Sequence, residues 1–258
     1  MKQQVLKVVK IGGKILQDEQ KLKSFLEDFI ALPGPKILVH GGGVYATNLA
    51  AELGIPTKMH QGRRITDAQT MQVISMAYSG LNKQLVGQLQ GLGCAAVGLC
   101  GADAGVMIAK RRPVGEIDYG FVGDITSVNA GFLSLLLDAG IIPVFSAISC
   151  TEKGQLLNTN ADSVVTELAL ALSDKFTTEL YFCFAKQGVL RDITDDSSVI
   201  PQIDSELYKQ LKSQGIISEG MLPKLDNCFR AVQRGISSIF LGSESLLKAG
   251  SKHTKISI

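Results

Sequence analysis

The sequence contains only three histidines and five cysteines among its 258 residues. A histidine-rich metal site is therefore not expected. The cysteines are far apart and form no C-x-x-C pair, and three of them sit inside apolar runs. This distribution favours reduced thiols packed in a core over disulfides or a zinc site.

Strong charge of either sign and long apolar runs are also missing. Charged residues make up 19% of the chain and the formal net charge is +2, which favours small-molecule partners over nucleic acid or an anionic membrane surface. No apolar stretch approaches the roughly 20 residues of a membrane span. Only Met1–Gln4 precede the first strand-like run, so we expect no signal peptide and no membrane contact, and predict a cytoplasmic protein.

Hydrophobic residues make up 45% of the sequence, enough for one large domain or two lobes. Strand-like apolar runs alternate with helix-length segments, which predicts an α/β fold with a mainly parallel sheet. Strands are expected near Val5–Ile11, Lys36–His40, Ala95–Cys100, Ile141–Ile148, Glu179–Phe184 and Ser237–Leu241. Helices are expected near Asp18–Ala31, Tyr45–Leu53, Asp67–Leu92, Ala130–Ala139, Asp162–Leu172, Ser205–Ser213 and Pro223–Arg234.

Two segments depart from this alternation. Val106–Val128 contains an Arg-Arg-Pro and an Asp-Tyr-Gly sequence and predicts short antiparallel strands and turns. Leu170–Thr177 joins the end of a helix to a new strand through a polar stretch. We therefore place a lobe boundary there, which gives one lobe of residues 1–172 and a second of residues 173–258.

Two glycine clusters follow apolar runs, within Lys10–Lys14 and His40–Gly43. Where a strand ends in consecutive glycines before a helix, backbone N–H groups are not covered by Cβ atoms and can bind phosphate oxygens. Neither cluster is G-x-x-x-x-G-K-[ST] or G-x-G-x-x-G. The clusters predict a phosphate site of neither the P-loop nor the dinucleotide-binding kind.

Three lysines accompany these features. Lys10 ends a buried strand, where its charge is costly unless it meets an anion such as a ligand phosphate. Lys14 is more simply explained as a solvated loop residue. Lys224 follows Pro223 at a helix start, where a cation opposes the helix dipole unless a polyphosphate offsets it. A surface lysine explains that position as well.

Two further segments carry polar side chains that suit either a helix start or a ligand. Asn160 can cap the helix that follows, and Asp162 in its first turn complements the dipole; Asn158 is left over by this explanation. Arg64 precedes the longest helix and offers a bidentate fork for a carboxylate, with Thr66 as the expected N-cap. A solvated arginine pair is the alternative.

Five motifs in order resemble those of the acetylglutamate kinases, a branch of the amino-acid kinase family. They are K-I-G-G at 10–13, V-H-G-G-G at 39–43, G-x-R-I-T at 62–66, N-x-N-A-D at 158–162 and G-M-x-x-K at 220–224. The likeness runs from about Val5 to Leu241. It implies an open αβα sandwich in which residues 1–172 bind the acylated amino acid and form the dimer, and residues 173–258 bind ATP.

The resemblance also implies the reaction, transfer of the ATP γ-phosphoryl group to the side-chain carboxylate of N-acetyl-L-glutamate in arginine biosynthesis. Lys10 and Lys224 would stabilise charge on the transferring group. Gly13 and Gly42 would bind it through backbone N–H groups, and Asp162 would hold both lysines. Mg²⁺ would arrive with ATP, bound mostly by phosphates and water.

Substrate contacts follow from the same resemblance. Arg64 and Asn158 would bind the unreactive carboxylate, while Gly42 and Gly43 line the reacting end. The nucleotide would be bound by Gly12, Lys186, Gly188, Ile217, Ser218 and Met221. Arginine-inhibited members carry an extra N-terminal helix that links dimers, and only Met1–Gln4 stand before the first strand here. We therefore expect a homodimer that is insensitive to arginine.

Three departures from the family pattern limit what it implies. Cys183–Gly188 lacks the usual Thr-Asp or Ser-Asp, so Lys186 would serve the phosphates instead. Phe145–Cys150 replaces an Ala-Pro-Ile-Gly type, which leaves the acyl group open between acetyl and a bulkier group such as succinyl. Gly101–Ala104 replaces Gly-Lys-Asp-Gly. Another acid or carbamate kinase of this fold and a catalytically silent ATP or amino-acid sensor remain the alternatives.

Overall fold

The computed structural model describes residues 4–217 and 221–257. Their strands are β1 (Val5–Ile11), β2 (Lys36–His40), β3 (Lys58–His60), β4 (Arg63–Ile65), β5 (Ala96–Leu99), β6 (Met107–Arg111), β7 (Gly123–Val128), β8 (Ile142–Ser146), β9 (Ile148–Cys150), β10 (Leu156–Asn158), β11 (Thr177–Cys183), β12 (Gln202–Ile203), β13 (Ser238–Gly242) and β14 (Thr254–Ile256). The helices are α1 (Gly13–Leu16), α2 (Glu19–Ala31), α3 (Gly43–Glu52), α4 (Ala68–Gly91), α5 (Ala130–Asp138), α6 (Ala161–Ala171), α7 (Ser205–Ser213) and α8 (Leu222–Gln233).

The chain divides into two compact units. One consists of Met1–Ile37 together with Leu172–Ile258, and the other of Leu38–Ala171. The first 37 residues therefore cluster with the C-terminal segment, whereas the sequence analysis grouped them with residues up to 172. The assignment of substrate to residues 1–172 and of ATP to residues 173–258 stays a prediction.

The unit that contains the chain ends is built on five neighbouring strands in the order β12-β14-β13-β11-β1. β1 pairs with β11 and β11 with β13 in parallel, and β13 pairs with β14 in the antiparallel direction. Ile11 stands opposite Cys183 in this register. The carboxyl ends of β1 and β11 therefore lie at the same level, which brings the residues after Ile11 beside those after Cys183.

Helix α2 shows how local polar groups fix the elements of this unit. The Asp18 carboxylate accepts a hydrogen bond from the Lys21 backbone N–H (3.0 Å) and so caps its first turn. At the other end the buried Lys36 ammonium donates to the carbonyl oxygens of Ile30 (2.8 Å) and Leu32. A lysine at a helix C-terminus satisfies carbonyls that have no partner within the helix.

The second unit contains a parallel set of strands in the order β2-β8-β5, the two-stranded hairpin β3-β4, and a four-stranded sheet in the order β10-β9-β6-β7. β6 and β7 are antiparallel, which confirms the prediction for Val106–Val128. The expected strand Ile141–Ile148 is wrong in one respect, because it is interrupted at Ala147. β8 stays in the parallel set, whereas β9 pairs with β10.

One helix cap and several short elements differ from the sequence-based predictions. Asp67, and not Thr66, is the N-cap of α4, since its carboxylate accepts the Thr70 N–H (2.8 Å); the prediction for Thr66 is wrong. The other predicted helices and strands lie within about two residues of their expected bounds. α1, β3, β4, β10, β12 and β14 were not predicted. The α/β class with mainly parallel strands is confirmed.

The cysteines and the helix lengths agree with the composition. All five cysteines are unbridged thiols, and Cys150, Cys183 and Cys228 are buried. Across residues 4–217 and 221–257, no helix combines the length and the apolar character needed to cross a bilayer.

Candidate functional site

The first glycine turn lies at the carboxyl end of β1. Gly12 precedes α1, and Gly13 is the first residue of that helix. A Cβ atom on Gly12 would lie 2.8 Å from the Cys183 carbonyl oxygen and 3.4 Å from the Phe184 Cα atom. Because real Cβ atoms do not approach a carbonyl that closely, only glycine lets the chain turn against the end of β11.

Two predicted lysines meet the same end of β11. Lys224, in the first turn of α8, places its Nζ atom 4.8 Å from the centroid of the Phe184 ring. Lys10 acts on the buried Cys183 thiol: burial raises the pKa of Cys183, and the charge of Lys10 opposes that rise. Within this unit, the structure therefore brings Lys10, Gly12 and Lys224 together around Cys183 and Phe184.

A cleft in the same unit collects most of the predicted nucleotide residues. It is lined by Lys186, Gly188, Val189, Leu190, Ile193, Ile216, Ile217 and Met221. Four of these positions were predicted from the sequence. Ser218 lies outside the described residues, and Gly12 is not part of the lining. The other four, Val189, Leu190, Ile193 and Ile216, were missed, because an aliphatic residue in a loop carries no local signal for a binding role.

The cleft combines aliphatic walls with one cation. Lys186 donates from Nζ to the Asp196 carboxylate (2.7 Å). The cleft is close-packed at Gly188, where a Cβ atom would lie 2.7 Å from Thr254 Oγ1. The same Oγ1 accepts a hydrogen bond from the Val189 N–H (2.8 Å). Apolar walls with a few polar groups are typical of small-molecule binding sites.

The second glycine turn, in the other unit, lies between β2 and α3. Gly42 precedes α3, and a Cβ atom there would lie 2.5 Å from Cδ1 of the Tyr78 ring. Gly43, the first residue of α3, has nothing within 4 Å of its Cβ position. Burial raises the pKa of Tyr78, while the Arg64 charge and a backbone hydrogen bond from Gly42 oppose that rise. The Tyr78 ring thus packs against the turn at Gly42.

Arg64 is held against the start of α3 by three hydrogen bonds. Its Nη2 donates to the Gly43 carbonyl oxygen (2.9 Å) and to Thr47 Oγ1 (2.7 Å). Its Nη1 donates to Thr57 Oγ1 (3.2 Å). The two threonines were missed by the sequence analysis. Thr47 stands four residues after Gly43 on α3, a spacing that puts both on one face of the helix.

Asn158 is joined to the strand that carries Arg64. Its Nδ2 donates to Thr66 Oγ1 (3.1 Å), and the Thr66 hydroxyl donates to the Arg64 carbonyl oxygen (3.3 Å). The backbone repeats the link, since Phe121 N–H donates to Thr66 O (2.7 Å) and Asn158 N–H donates to Phe121 O (2.9 Å). The structure therefore joins the Asn158 side chain, through Thr66, to the backbone of Arg64.

Asp162 lies in the first turn of α6. Its backbone N–H donates to Asn160 Oδ1 (2.8 Å), which confirms the predicted capping role of Asn160. A Cβ atom on Gly41 would lie 3.9 Å from the Ala161 Cβ atom, so α6 begins beside the second glycine turn. The ion pairs of Asp162 with Lys10 and Lys224 would join different units, and they stay predictions.

Among the residues that the structure describes, no three His, Cys, Asp or Glu side chains converge on a point where they could hold a metal ion. An ion carried on nucleotide phosphates fits, because Mg²⁺ keeps several waters and binds mainly through phosphate oxygens.

Residues 6–242 match the sequence profile of the Amino acid kinase family. The chain is 51% identical over 247 residues to the acetylglutamate kinase of Phocaeicola vulgatus, covering 95% of this chain and 96% of that one. It is 48% identical over 248 residues to the acetylglutamate kinase of Cytophaga hutchinsonii, covering 95% and 94%. An acetylglutamate kinase from Synechococcus sp. is 38% identical, and the matched residues cover 96% of this chain and 77% of that one.

Solved structures share the fold. Smu.665 from Streptococcus mutans superposes with a TM-score of 0.77 at 26% identity over 98% of both chains. N-acetylglutamate synthase from Neisseria gonorrhoeae gives a TM-score of 0.80 at 17% identity, over 99% of this chain and 59% of that one. Carbamate kinase from Giardia lamblia gives a TM-score of 0.69 at 12% identity, over 99% of this chain and 98% of that one. At such low identity the last two are evidence of a common fold alone.

Proposed function

The chain belongs to the amino acid kinase family, and on that premise we propose that it is an ATP-dependent kinase of arginine biosynthesis. The acceptor is the side-chain carboxylate of N-acetyl-L-glutamate or of a close N-acyl analogue such as N-succinyl-L-glutamate. The product is an acyl phosphate. The observation that carries this proposal is the 51% identity, over nearly the whole of both chains, to a relative described as an acetylglutamate kinase.

The chemistry demands positive charge more than a base. A carboxylate is already an anionic nucleophile, so no general base is required. The enzyme must reduce the repulsion between two anions and stabilise charge on the transferring phosphoryl group. Lys10 and Lys224 are proposed to do this, with the backbone N–H groups of Gly13 and Gly42 as further donors. The approach of both lysines to Cys183 and Phe184 supports the assignment.

Asp162 is proposed to orient the two lysines through ion pairs and to take no proton itself. Its place in the first turn of α6, beside the Gly41–Gly43 turn, supports a position close to the transferring group. An acidic side chain at a helix N-terminus is also favoured by the dipole.

Arg64 and Asn158 are proposed to bind the unreactive carboxylate. Their link through Thr66 supports this, because it joins the Asn158 amide to the backbone carbonyl of Arg64. Two hydrogens on Nη2 and one on Nη1 already bond the protein, so the Nε hydrogen and the second Nη1 hydrogen are the donors proposed to meet the carboxylate. Gly42 and Gly43 would line the reacting end of the same substrate.

ATP is proposed to bind in the cleft lined by Lys186, Gly188, Ile217 and Met221, with Gly12 at the phosphate end and Ser218 as a further contact. The aliphatic lining supports a place for the base. Mg²⁺ is proposed to bind with ATP and, when bound, it neutralises charge on the β- and γ-phosphates. In this arrangement Lys186 serves the phosphates in place of the acidic residue that the family usually carries before Gly188.

The acyl group of the substrate is left to experiment, with one segment as its proposed neighbour. Phe145–Cys150 is buried throughout, and Ser149 Oγ lies 2.6 Å from Oγ1 of Thr159, the residue that follows Asn158. The Thr159 N–H donates to the Ala147 carbonyl oxygen (3.1 Å). This segment is therefore proposed to set the size of the acyl pocket.

A panel of acceptors tests the function. ADP release is measured with ATP and N-acetylglutamate, N-succinylglutamate, glutamate, aspartate or carbamate, each alone. Turnover with one acylglutamate and not with free glutamate supports the proposal. Turnover with aspartate or carbamate alone would favour another acid kinase, and binding without turnover would favour a silent sensor. A homodimer is proposed as well, and light scattering should give twice the 27.6 kDa of one chain.

A further inference from the structure

The imidazole of His40 is buried at the start of the second glycine turn. His40 ends β2 and has no exposed surface. Its Nδ1 lies 2.7 Å from the carbonyl oxygen of Gly41. A carbonyl oxygen only accepts, so Nδ1 must carry the proton. Burial lowers the pKa of His40 to about 4, which leaves the ring neutral and Nε2 as an acceptor.

Asn82, on α4, supplies the donor that this tautomer requires. Its Nδ2 lies 3.0 Å from His40 Nε2 and 2.9 Å from the Val144 carbonyl oxygen. An amide nitrogen has two hydrogens, one for each acceptor. The hydrogen bonds therefore run in one direction, from Asn82 to His40 and from His40 to Gly41, and each ring nitrogen has a partner.

The surrounding strands leave room for this pair and for little else. A Cβ atom on Gly98 would lie 1.9 Å from Asn82 Oδ1. Gly98 on β5 is in register with Val144 on β8, and Val144 is in register with Leu38 on β2. The amide thus fits a gap across three neighbouring strands. Buried polar groups that are fully paired in this way fix one geometry, because every alternative leaves a donor or acceptor unsatisfied.

The peptide plane carries the effect of His40 to Gly42. The Gly41 carbonyl and the Gly42 N–H belong to one planar, trans peptide unit and point in opposite directions. A hydrogen bond that fixes the carbonyl therefore also fixes the N–H. The direction of the Gly42 N–H is thus set from the buried side of the turn, where His40 lies.

We infer that His40 and Asn82 are positioning residues, which direct the Gly42 N–H toward the phosphoryl group and the reacting carboxylate. The inference rests on the proposed function, because that function assigns the Gly42 N–H to the transferring phosphoryl group. Neither side chain touches the substrate. Their contribution is that the donor is already oriented when the substrates bind, which lowers the barrier without adding a contact.

The test compares two variants of His40. Asn at position 40 has an amide nitrogen near the place of Nδ1 and can still donate to Gly41, whereas Leu has a similar volume and no donor. We expect His40→Leu to lower kcat by about 10²-fold, as for a catalytic group misplaced by about 1 Å. His40→Asn should recover most of that loss, and both variants should keep the KM for ATP. Thermal melting of each variant gives the folded fraction used to correct kcat.

A spectroscopic measurement checks the pair without any assay. In the wild type at neutral pH, ¹⁵N shifts of His40 should report a proton on Nδ1 alone. Asn82→Asp replaces the donor by an acceptor, so His40 should then also carry a proton on Nε2. The inference would be overturned if the His40 spectrum did not change in Asn82→Asp. It would also be overturned if the wild type were active and His40→Leu had the same kcat. A wild type inactive toward every acid would instead overturn the proposed function.

Discussion

Arg64 donates a hydrogen bond of 2.9 Å to the carbonyl oxygen of Gly43. The bond fixes the guanidinium at the first turn of α3, next to the glycines proposed to line the reacting carboxylate. A second bond from the same Nη2 to Thr47 leaves little freedom in the orientation of the fork. Arg64 is thus preorganised before a ligand arrives, which reduces the entropy that binding costs.

Arg64→Lys should separate binding of the acid from binding of ATP. Lysine keeps the charge, but its single ammonium cannot replace the three hydrogen bonds of the guanidinium and bind a carboxylate as well. We expect the KM for the acylglutamate to rise by about 10-fold to 10²-fold, as for a hydrogen bond to a charged group worth ~1.5–3 kcal/mol. The KM for ATP should stay the same. Steady-state kinetics with each substrate varied in turn provides the measurement.

Arg63→Lys is the matched control for that experiment, because Arg63 is the preceding residue and is exposed. Its KM values should be those of the wild type. An equal loss of affinity for ATP in Arg64→Lys would place Arg64 in the nucleotide site and contradict the account.

Lys10→Ala and Lys224→Ala should each lower kcat far more than they raise either KM. Removing one preorganised electrostatic group typically costs about 10²–10³ in kcat. Lys14→Ala is the control, since Lys14 is exposed and lies just beyond the same glycine turn. It should turn over at the wild-type rate. A correctly folded Lys10→Ala or Lys224→Ala with normal kcat would remove that lysine from the mechanism.

Lys186→Ala should raise the KM for ATP and leave the KM for the acid unchanged. The pair of Lys186 with Asp196 is exposed, and such pairs are worth ~0–1 kcal/mol. Loss of the pair alone therefore explains only a small effect. Asp196→Ala breaks the same pair and serves as the control. Equal effects of the two substitutions on the KM for ATP would mean that Lys186 acts through Asp196 and not on the phosphates.

The pH dependence of stability should report on His40. Its pKa is lowered from 6.5 to about 4, so an unfolded chain takes up the proton at a higher pH than the folded one. Between pH 6.5 and about pH 4 the unfolded state binds more protons than the folded state. The free energy of unfolding therefore decreases as the pH is lowered through this range. The difference amounts to roughly 3 kcal/mol.

Urea unfolding of the wild type and of His40→Asn, between pH 7 and about pH 4, measures this contribution. The wild type should lose roughly 3 kcal/mol more than the variant over that range. Above pH 6.5 their difference should be constant. Parallel profiles down to pH 4 would mean that His40 titrates normally and is not held in the buried, neutral form.

Much of the frame could be predicted because its signals are local. The apolar run of Val5–Ile11 ends in glycines, and that pattern alone predicted both β1 and the close turn at Gly12. The same holds for β2 and the Gly42 turn. Four nucleotide residues could be predicted only through the family resemblance, yet they line one cleft.

The features that could not be predicted from the sequence depend on contacts between distant segments. The hairpin β3-β4 has three-residue strands with charged side chains, too short for a hydrophobic period. The break at Ala147 follows from pairing with β10, which no local pattern announces. The pair of His40 and Asn82 is separated by 42 residues. An isolated asparagine in a helix carries no sign of such a partner.

The most direct test of the central claim is detection of the product. An acyl phosphate reacts with hydroxylamine to give a hydroxamate, whereas phosphate released by simple ATP hydrolysis does not. With ATP, magnesium, hydroxylamine and N-acetylglutamate or N-succinylglutamate, we predict one hydroxamate for each ADP, and none when the acid is omitted. ADP release without hydroxamate for either acid would contradict phosphoryl transfer to the acylglutamate carboxylate.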